Sequence, residues 1–340
     1  RLFIPGPVKV SDDVLQQLAR PTLGHRDKEY GVLHGEVVEM LKKLLFTDQY
    51  IFLSTSSGSG LWEASIRNCV APDETVLATC CGAFSDKWAD VIEECGRKVE
   101  RLNVEWGRPT TPELIDEKLS SGNYAAVTLI YNETSTGLMN PVYEISKMMK
   151  ARHPEVLVFV DAVSGMIGLP LHFDELGWDV GFASVQKAFA LPPGLTVFTF
   201  SPAALAKAAN AKDRGYYFDF VEFQKNAELN MTPSTPSIAH VYALASKLEE
   251  IFAEGLEARY ARHRRTAQGT RDWAAGHGFN LFPDRDFESV TLTCVNNGAK
   301  PGGRVIDVPR FQKMVREMGY LIDGGYGKIK GTTFRVSNMG

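Results

Sequence analysis

A single lysine, Lys187, stands between an apolar run from Asp179 to Val185 and the turn Pro192-Pro193-Gly194. The run reads as a buried strand, and a lysine at its end is held where its charge is costly. Burial disfavours the ammonium form and lowers its pKa. The neutral amine that results is a nucleophile toward carbonyl groups. A surface lysine opening a loop is the competing reading of the same local pattern.

Upstream, Val156-Leu157-Val158-Phe159-Val160 is a five-residue apolar strand that ends in Asp161 and runs on into Ala162-Val163-Ser164-Gly165. Such a strand carries a carboxylate to the rim of a parallel sheet, where open α/β sheets bind ligands. Asp161 and Lys187 lie 26 residues apart, room for a crossover and a return strand. Together they supply what pyridoxal phosphate requires, a lysine for the aldehyde and an acid for the pyridine nitrogen. The anion favours the protonated ring nitrogen, which then accepts electrons from a substrate carbanion. Taken alone, Asp161 reads more readily as a helix N-cap.

Other segments converge on the same chemistry. Ser54-Thr55-Ser56-Ser57-Gly58-Ser59-Gly60 runs from a strand into a helix, and a helix N-terminus offers free N–H groups to a phosphate. The GxxxxGK[ST] spacing of a P-loop is absent, and a serine-rich loop with an N-cap is the plainer reading. Phe84, after Gly82-Ala83, could stack on a ring or pack in a core. Thr134, within Asn132-Glu133-Thr134-Ser135-Thr136-Gly137, could reach a phenolic oxygen or serve a turn. Arg335, in the short strand Thr333–Val336, reads as a half-buried fork for a carboxylate, or as half of an internal salt bridge. Gly24-His25-Arg26 is a second anion site or surface charge.

The elements that must position these residues alternate. Strands are expected at Tyr50–Leu53, Thr75–Thr79, Lys98–Leu102, Ala125–Tyr131, Val156–Val160, Val180–Val185 and Leu195–Phe200. Helices are expected at Ser11–Leu18, His34–Phe46, Leu61–Cys69, Ser85–Cys95, Pro112–Leu119, Val142–Lys150 and Pro202–Ala209. Such alternation implies an α/β fold, a large domain whose mainly parallel sheet is sandwiched by helices. After Met231-Thr232-Pro233-Ser234-Thr235-Pro236 a long helical stretch, about Ile238–Gly276, leads to a strand (Ser289–Val295), a helix (Pro309–Met318) and a last strand. This predicts a smaller α+β C-terminal domain. The expected division is 1–14 as an N-terminal segment, 15–236 as the large domain and 237–340 as the small one.

The 340 residues, 23% charged and 44% hydrophobic, suit a soluble chain of this size. A net charge of −4 argues against nucleic acid as the main partner. No signal peptide or membrane-length apolar run is visible. The five cysteines, Cys69, Cys80, Cys81, Cys95 and Cys294, show no metal-ligand spacing. They read as buried free thiols, so a cytoplasmic location and no metal are expected.

The chain resembles class V aminotransferases of pyridoxal phosphate fold type I. The resemblance runs from Pro5-Gly6-Pro7 to Arg335-Val336-Ser337. It is carried by Asn132-Glu133-Thr134-Ser135-Thr136-Gly137, by Val160-Asp161-Ala162-Val163-Ser164, and by Ser184-Val185-Gln186-Lys187 with Pro192-Pro193-Gly194. Leu191-Pro192-Pro193-Gly194-Leu195 after the lysine resembles the alanine/serine–glyoxylate (serine–pyruvate) branch. The phosphoserine branch usually has Gln-Lys-Asn at the lysine, where this chain has Ala188, although His25-Arg26 is similar to the pair with which that branch holds its substrate phosphate.

The resemblance implies Lys187 as the Schiff-base lysine and Asp161 as the partner of the ring nitrogen. It implies Ser57, Gly58, Ser59 and Gln186 at the phosphate, Phe84 on the ring, Thr134 on the phenolic oxygen, and Arg335 with His25 and Arg26 at the substrate. Thr232 and Thr235 resemble residues that reach the neighbouring subunit's cofactor, so a homodimer with shared active sites is implied. Two departures stand out. Many relatives carry Trp where Phe84 stands. Relatives usually continue past the arginine motif into a final helix, which leaves open whether this chain is truncated. The implied reaction moves an amino group from alanine or serine to glyoxylate or pyruvate. A phosphoserine aminotransferase is the alternative, then a same-fold lyase such as a cysteine desulfurase, for which Cys294 is the only second-domain thiol, and last a non-catalytic binding protein.

Overall fold

A computed structural model describes residues 1–340. Its centre is a seven-stranded sheet in the order Phe52–Ser54, Thr196–Phe200, Val180–Ser184, Leu157–Asp161, Ala126–Ile130, Thr75–Cys80, Lys98–Asn103. Thr196–Phe200 alone runs antiparallel to its neighbours. The other pairings are parallel.

Period-2 alternation decides which residues enter which layer. Leu157 and Phe159 of the Asp161 strand enter one core, with the helices Gly58–Cys69, Ala83–Glu94, Pro202–Asn210 and Phe220–Ala227. Val158 and Val160 enter the other, with Lys28–Leu45, Pro112–Ser121, Val142–Arg152 and Ile238–Glu254. Strands buried on both faces are therefore almost wholly apolar, which is why they were legible as runs.

Several elements differ from expectation. The helix expected from His34 begins at Lys28, behind the N-cap position Asp27. The long stretch from Ile238 breaks at Gly255, whose φ of 86° ends one helix before the next starts at Leu256. Val241, Leu244, Leu248 and Ile251 of the first of these helices share a core with Val37 and Leu41. The large-domain core thus continues past residue 236.

The smaller sheet has the order Leu2–Phe3, Leu321–Gly324, Thr333–Ser337, Leu292–Asn296. Its first strand comes from the chain's opening, paired in parallel with Leu321 and Ile322. The N-terminal segment is thereby part of the C-terminal sheet. No helix is long and apolar enough to cross a membrane.

Candidate active site

The carboxyl ends of the central strands open into a cavity of about 150 Å³. Ser57, Gly58, Ser59, Phe84, Thr134, Asp161, Gln186 and Lys187 all line it. Sequence reasoning nominated these residues from five separate segments, and the fold brings them to one place.

Lys187 follows the strand Val180–Ser184, and its Nζ donates to the carbonyl of Pro5. Burial is the main cause that brings its pKa down, to about 8, and the Arg335 charge adds to it. The carboxylates of Asp161 and Asp323 pull the other way.

Asp161 is the last residue of its strand and is only 5% exposed. Trp62 Nε1 donates to Oδ2 at 2.8 Å, and the Val163 backbone N–H donates to Oδ1 at 2.8 Å. Burial nonetheless pushes its pKa up to about 6, and Glu133 adds to the rise; the two hydrogen bonds and Lys187 oppose it. The carboxylate is therefore an anion at neutral pH, held by two donors that fix its orientation.

The helix Gly58–Cys69 points its N-terminus at this cavity, and its N-cap residue Ser57 makes no capping hydrogen bond of its own. Gly58 is required by proximity: a Cβ there would lie 2.7 Å from Val163 Cγ2 and 3.1 Å from Ser184 Oγ. Around it, Ser184 Oγ, Gln186 Oε1 and Asn132 Oδ1 are buried without partners. Native proteins seldom leave such groups unpaired. Free helix N–H groups, serine hydroxyls, unpartnered polar atoms, a carboxylate and a buried amine form a donor set that fits a phosphorylated, carbonyl-bearing pyridine.

Arg335 does not line the cavity itself and stands behind the lining residue Thr134. It is 3% exposed, more deeply buried than its sequence setting suggested. Its Nε donates to Gly324 O at 3.0 Å, Nη1 to Thr134 O at 3.1 Å and Nη2 to Asp323 Oδ2 at 2.5 Å. The arginine is thus half of an internal ion pair while also lying against the cavity-lining Thr134. Thr134 Oγ1 is 2.5 Å from Ser164 Oγ. Phe84 stacks on Tyr326 with ring centroids 5.2 Å apart.

Besides Arg335, four nominated residues lie apart from this cavity. Arg26 is exposed and gives its fork to the carbonyls of Thr232 and Pro233, at 3.0 and 3.1 Å. His25 precedes it at the partly exposed surface. Thr232 is buried and donates to Ser234 O, and Thr235 is exposed.

Sequence reasoning missed Trp62, Glu133 and Gly82. Glu133 is fully buried and has no cationic partner. It accepts from the backbone N–H groups of Ser85 and Ser135 at 3.0 and 3.1 Å and from Ser135 Oγ at 2.6 Å. Its carboxylate caps the helix Ala83–Glu94 in place of an N-cap side chain. Gly82 holds the N-cap position, and a Cβ there would lie 2.2 Å from Glu133 Cγ. The signal in the sequence was the pairing of a glycine N-cap with an acid in a strand-end motif.

Cys294 is 1% exposed within the strand Leu292–Asn296, and burial pushes its thiol up to about 12. Such a thiol is inert rather than nucleophilic, which removes the main support for a desulfurase. All five cysteines are free and buried, and no group of side chains has a metal-binding arrangement.

A mostly parallel sheet whose rim gathers a buried amine and a buried carboxylate defines a pyridoxal phosphate enzyme of fold type I. The family model for class V aminotransferases matches residues 24–276. An L-aspartate–glyoxylate aminotransferase of Paracoccus denitrificans is 31% identical over 100% of this chain and 86% of its own length. A serine–glyoxylate aminotransferase of Arabidopsis thaliana is 30% identical over 100% of this chain and 85% of its own. The solved structure of an aspartate aminotransferase of subgroup IV from Thermus thermophilus matches with a TM-score of 0.90 at 29% identity, covering 100% of this chain and 93% of that one. The chain belongs to the class V aminotransferase family, which makes it a transaminase of the pyridoxal phosphate-dependent kind.

Proposed function

We propose that this enzyme moves an amino group from a small L-amino acid, alanine or serine, to glyoxylate or pyruvate. The observation that carries the chemistry is the meeting of Lys187 and Asp161 at one cavity, where burial moves both pKa values toward neutrality. Glyoxylate as acceptor is supported by the names of the two curated relatives.

Pyridoxal phosphate, when bound, supplies an aldehyde for amine exchange and a ring that accepts electrons from the carbon losing its proton. Ser57, Gly58, Ser59 and Gln186 would hold its phosphate, Phe84 and Thr134 its ring and phenolic oxygen. Asp161 would keep a proton on the ring nitrogen. Lys187 Nζ, with its ammonium form disfavoured, would take the proton from substrate Cα and deliver it to the cofactor's aldehyde carbon, the transfer that leaves the amino group on the cofactor. Arg335 uses three of its five N–H donors on Gly324, Thr134 and Asp323. The remaining two are available to orient a substrate carboxylate.

A homodimer completes the reading. Exposure of Thr235 and the packing of Arg26 against residues 232–233 suit a loop that reaches a second subunit's site. His25 and Arg26 would then serve the substrate end.

The test is an absorbance spectrum of the protein with cofactor, titrated with L-alanine, L-serine, L-aspartate and L-phosphoserine. Conversion of the aldehyde band to the amine form, at lowest concentration with alanine or serine, is expected. Preference for phosphoserine would move the enzyme to the other branch. Lys187→Ala should abolish turnover, and full activity in that variant would refute the assignment.

A further inference from the structure

Asp323 faces the substrate anchor, and the proposed reaction assigns it no role. It stands directly opposite Arg335 in the antiparallel pairing of Leu321–Gly324 with Thr333–Ser337. Opposed residues in such a pair are close neighbours, so the register alone delivers a carboxylate to the guanidinium. One oxygen, Oδ2, takes an N–H of Nη2 at 2.5 Å. The two partners differ in burial: the Arg335 side chain is 3% exposed and that of Asp323 42%. The cation is therefore fixed in the interior behind the cavity-lining Thr134, while the anion is partly in solvent with room to turn away. Both groups act electrostatically on Lys187.

A buried arginine without an anion carries an uncompensated charge, and a chain with no substrate bound must supply one itself. A substrate carboxylate on the two remaining N–H groups would share Nη2 with Asp323, and two carboxylates do not crowd one nitrogen without repulsion.

We propose that Asp323 is an internal competitor for the substrate carboxylate. Its side chain holds Nη2 of Arg335 in the absence of substrate, swings out when substrate binds, and so sets the concentration at which substrate is accepted. The inference rests on the reading of Arg335 as the carboxylate anchor. Mass action fixes the direction of its effect: an occupied anchor raises KM, and leaves kcat alone once the competitor has left. Because the Asp323 side chain is partly solvated, the occupancy to be overcome is modest. Its removal should lower KM by about fivefold.

The experiment is a double-mutant cycle in the holoenzyme with L-serine and glyoxylate. Asp323→Ala and Asp323→Asn should each lower KM for both substrates, with kcat within about twofold of the parent. Arg335→Ala should raise KM, and adding Asp323→Ala to it should produce no further change, since the competitor then has nothing to occupy. In the protein without cofactor, acetate should raise the melting temperature of Asp323→Ala more than that of the parent. Unchanged or higher KM in both Asp323 variants, with Arg335→Ala still raising it, would overturn the inference and leave the anchor standing. No change in KM with Arg335→Ala would overturn the anchor itself, and the inference with it.

Discussion

At the scale of single residues, the site is made by burial acting in opposite directions on an amine and a carboxylate. Lys187 falls to about 8 from an ordinary 10.5, and Asp161 rises to about 6 from 3.8. For the lysine, the unfolded chain holds more protons than the folded one between pH 8 and 10.5. Stability therefore increases as pH rises through that window, and the charged lysine opposes folding most fully below pH 8. Lys187→Met should consequently stabilise the protein without cofactor by about 2 kcal/mol at pH 7. The advantage should fade as pH approaches 10.5. Thermal melts at pH 7 and pH 10 check this: equal gains at both values would mean that the amine is not held in its charged form at a cost. Asp161 has the opposite sign, with stability gained as pH falls from about 6 toward 3.8. The same variant loses the amine that moves the proton, so stability and activity part company at this position.

At the scale of elements, the cavity residues nominated from the sequence sit at or just past the end of a strand or at the start of a helix, while Arg335 is in the middle of a strand. A strand end there is a structural necessity: the next helix must begin, and its first N–H groups need partners. For the helix Ala83–Glu94 the partner is Glu133, from the hairpin strand Asn132–Glu133. Through this cap the hairpin that carries Thr134 is tied to the helix that carries Phe84. Glu133→Gln would turn an amide NH₂ toward backbone donors. It should cost about 2 kcal/mol of stability and weaken cofactor binding, read by denaturant unfolding and by cofactor titration. Gly82→Ala should act alike, because its Cβ would displace the same carboxylate. Retention of both stability and cofactor affinity in the two variants would show that the cap does not carry the ring-side wall.

At the scale of the whole molecule, the chain's opening, its centre and its close meet at one point. Leu2–Phe3 pairs with Leu321–Ile322 in the small sheet, Val8 N–H donates to Gln186 O at 3.2 Å, and Pro5 O receives Lys187 Nζ. Gly6, at φ 114°, passes so close that a Cβ would lie 2.7 Å from Lys187 Cδ. Gly6→Ala should therefore push the lysine aside. Turnover should fall on the order of 100-fold for a folding cost of about 1–2 kcal/mol. Turnover and melting temperature measured together separate this from simple unfolding, and near-normal turnover would show that the N-terminal segment is only scaffolding.

Much of this was legible in the residues. Strands buried on both faces announce themselves as apolar runs, and Lys187 and Asp161 each close such a run, so their convergence followed from strand order alone. The parallel sheet and the two helical layers could be read for that reason, whereas the roles of the other cavity residues rested on the family resemblance. Other features are relations between distant segments and leave no local periodicity to find. Glu133 caps a helix some fifty residues upstream, Asp323 meets Arg335 through sheet register, and Leu2–Phe3 joins a sheet made from the last fifty residues. The sequence by itself determined which residues would end buried strands, because burial of apolar side chains is a property of each run. Only the tertiary structure decided what those residues face, because charge pairing, capping and close approach depend on where other parts of the chain come to rest.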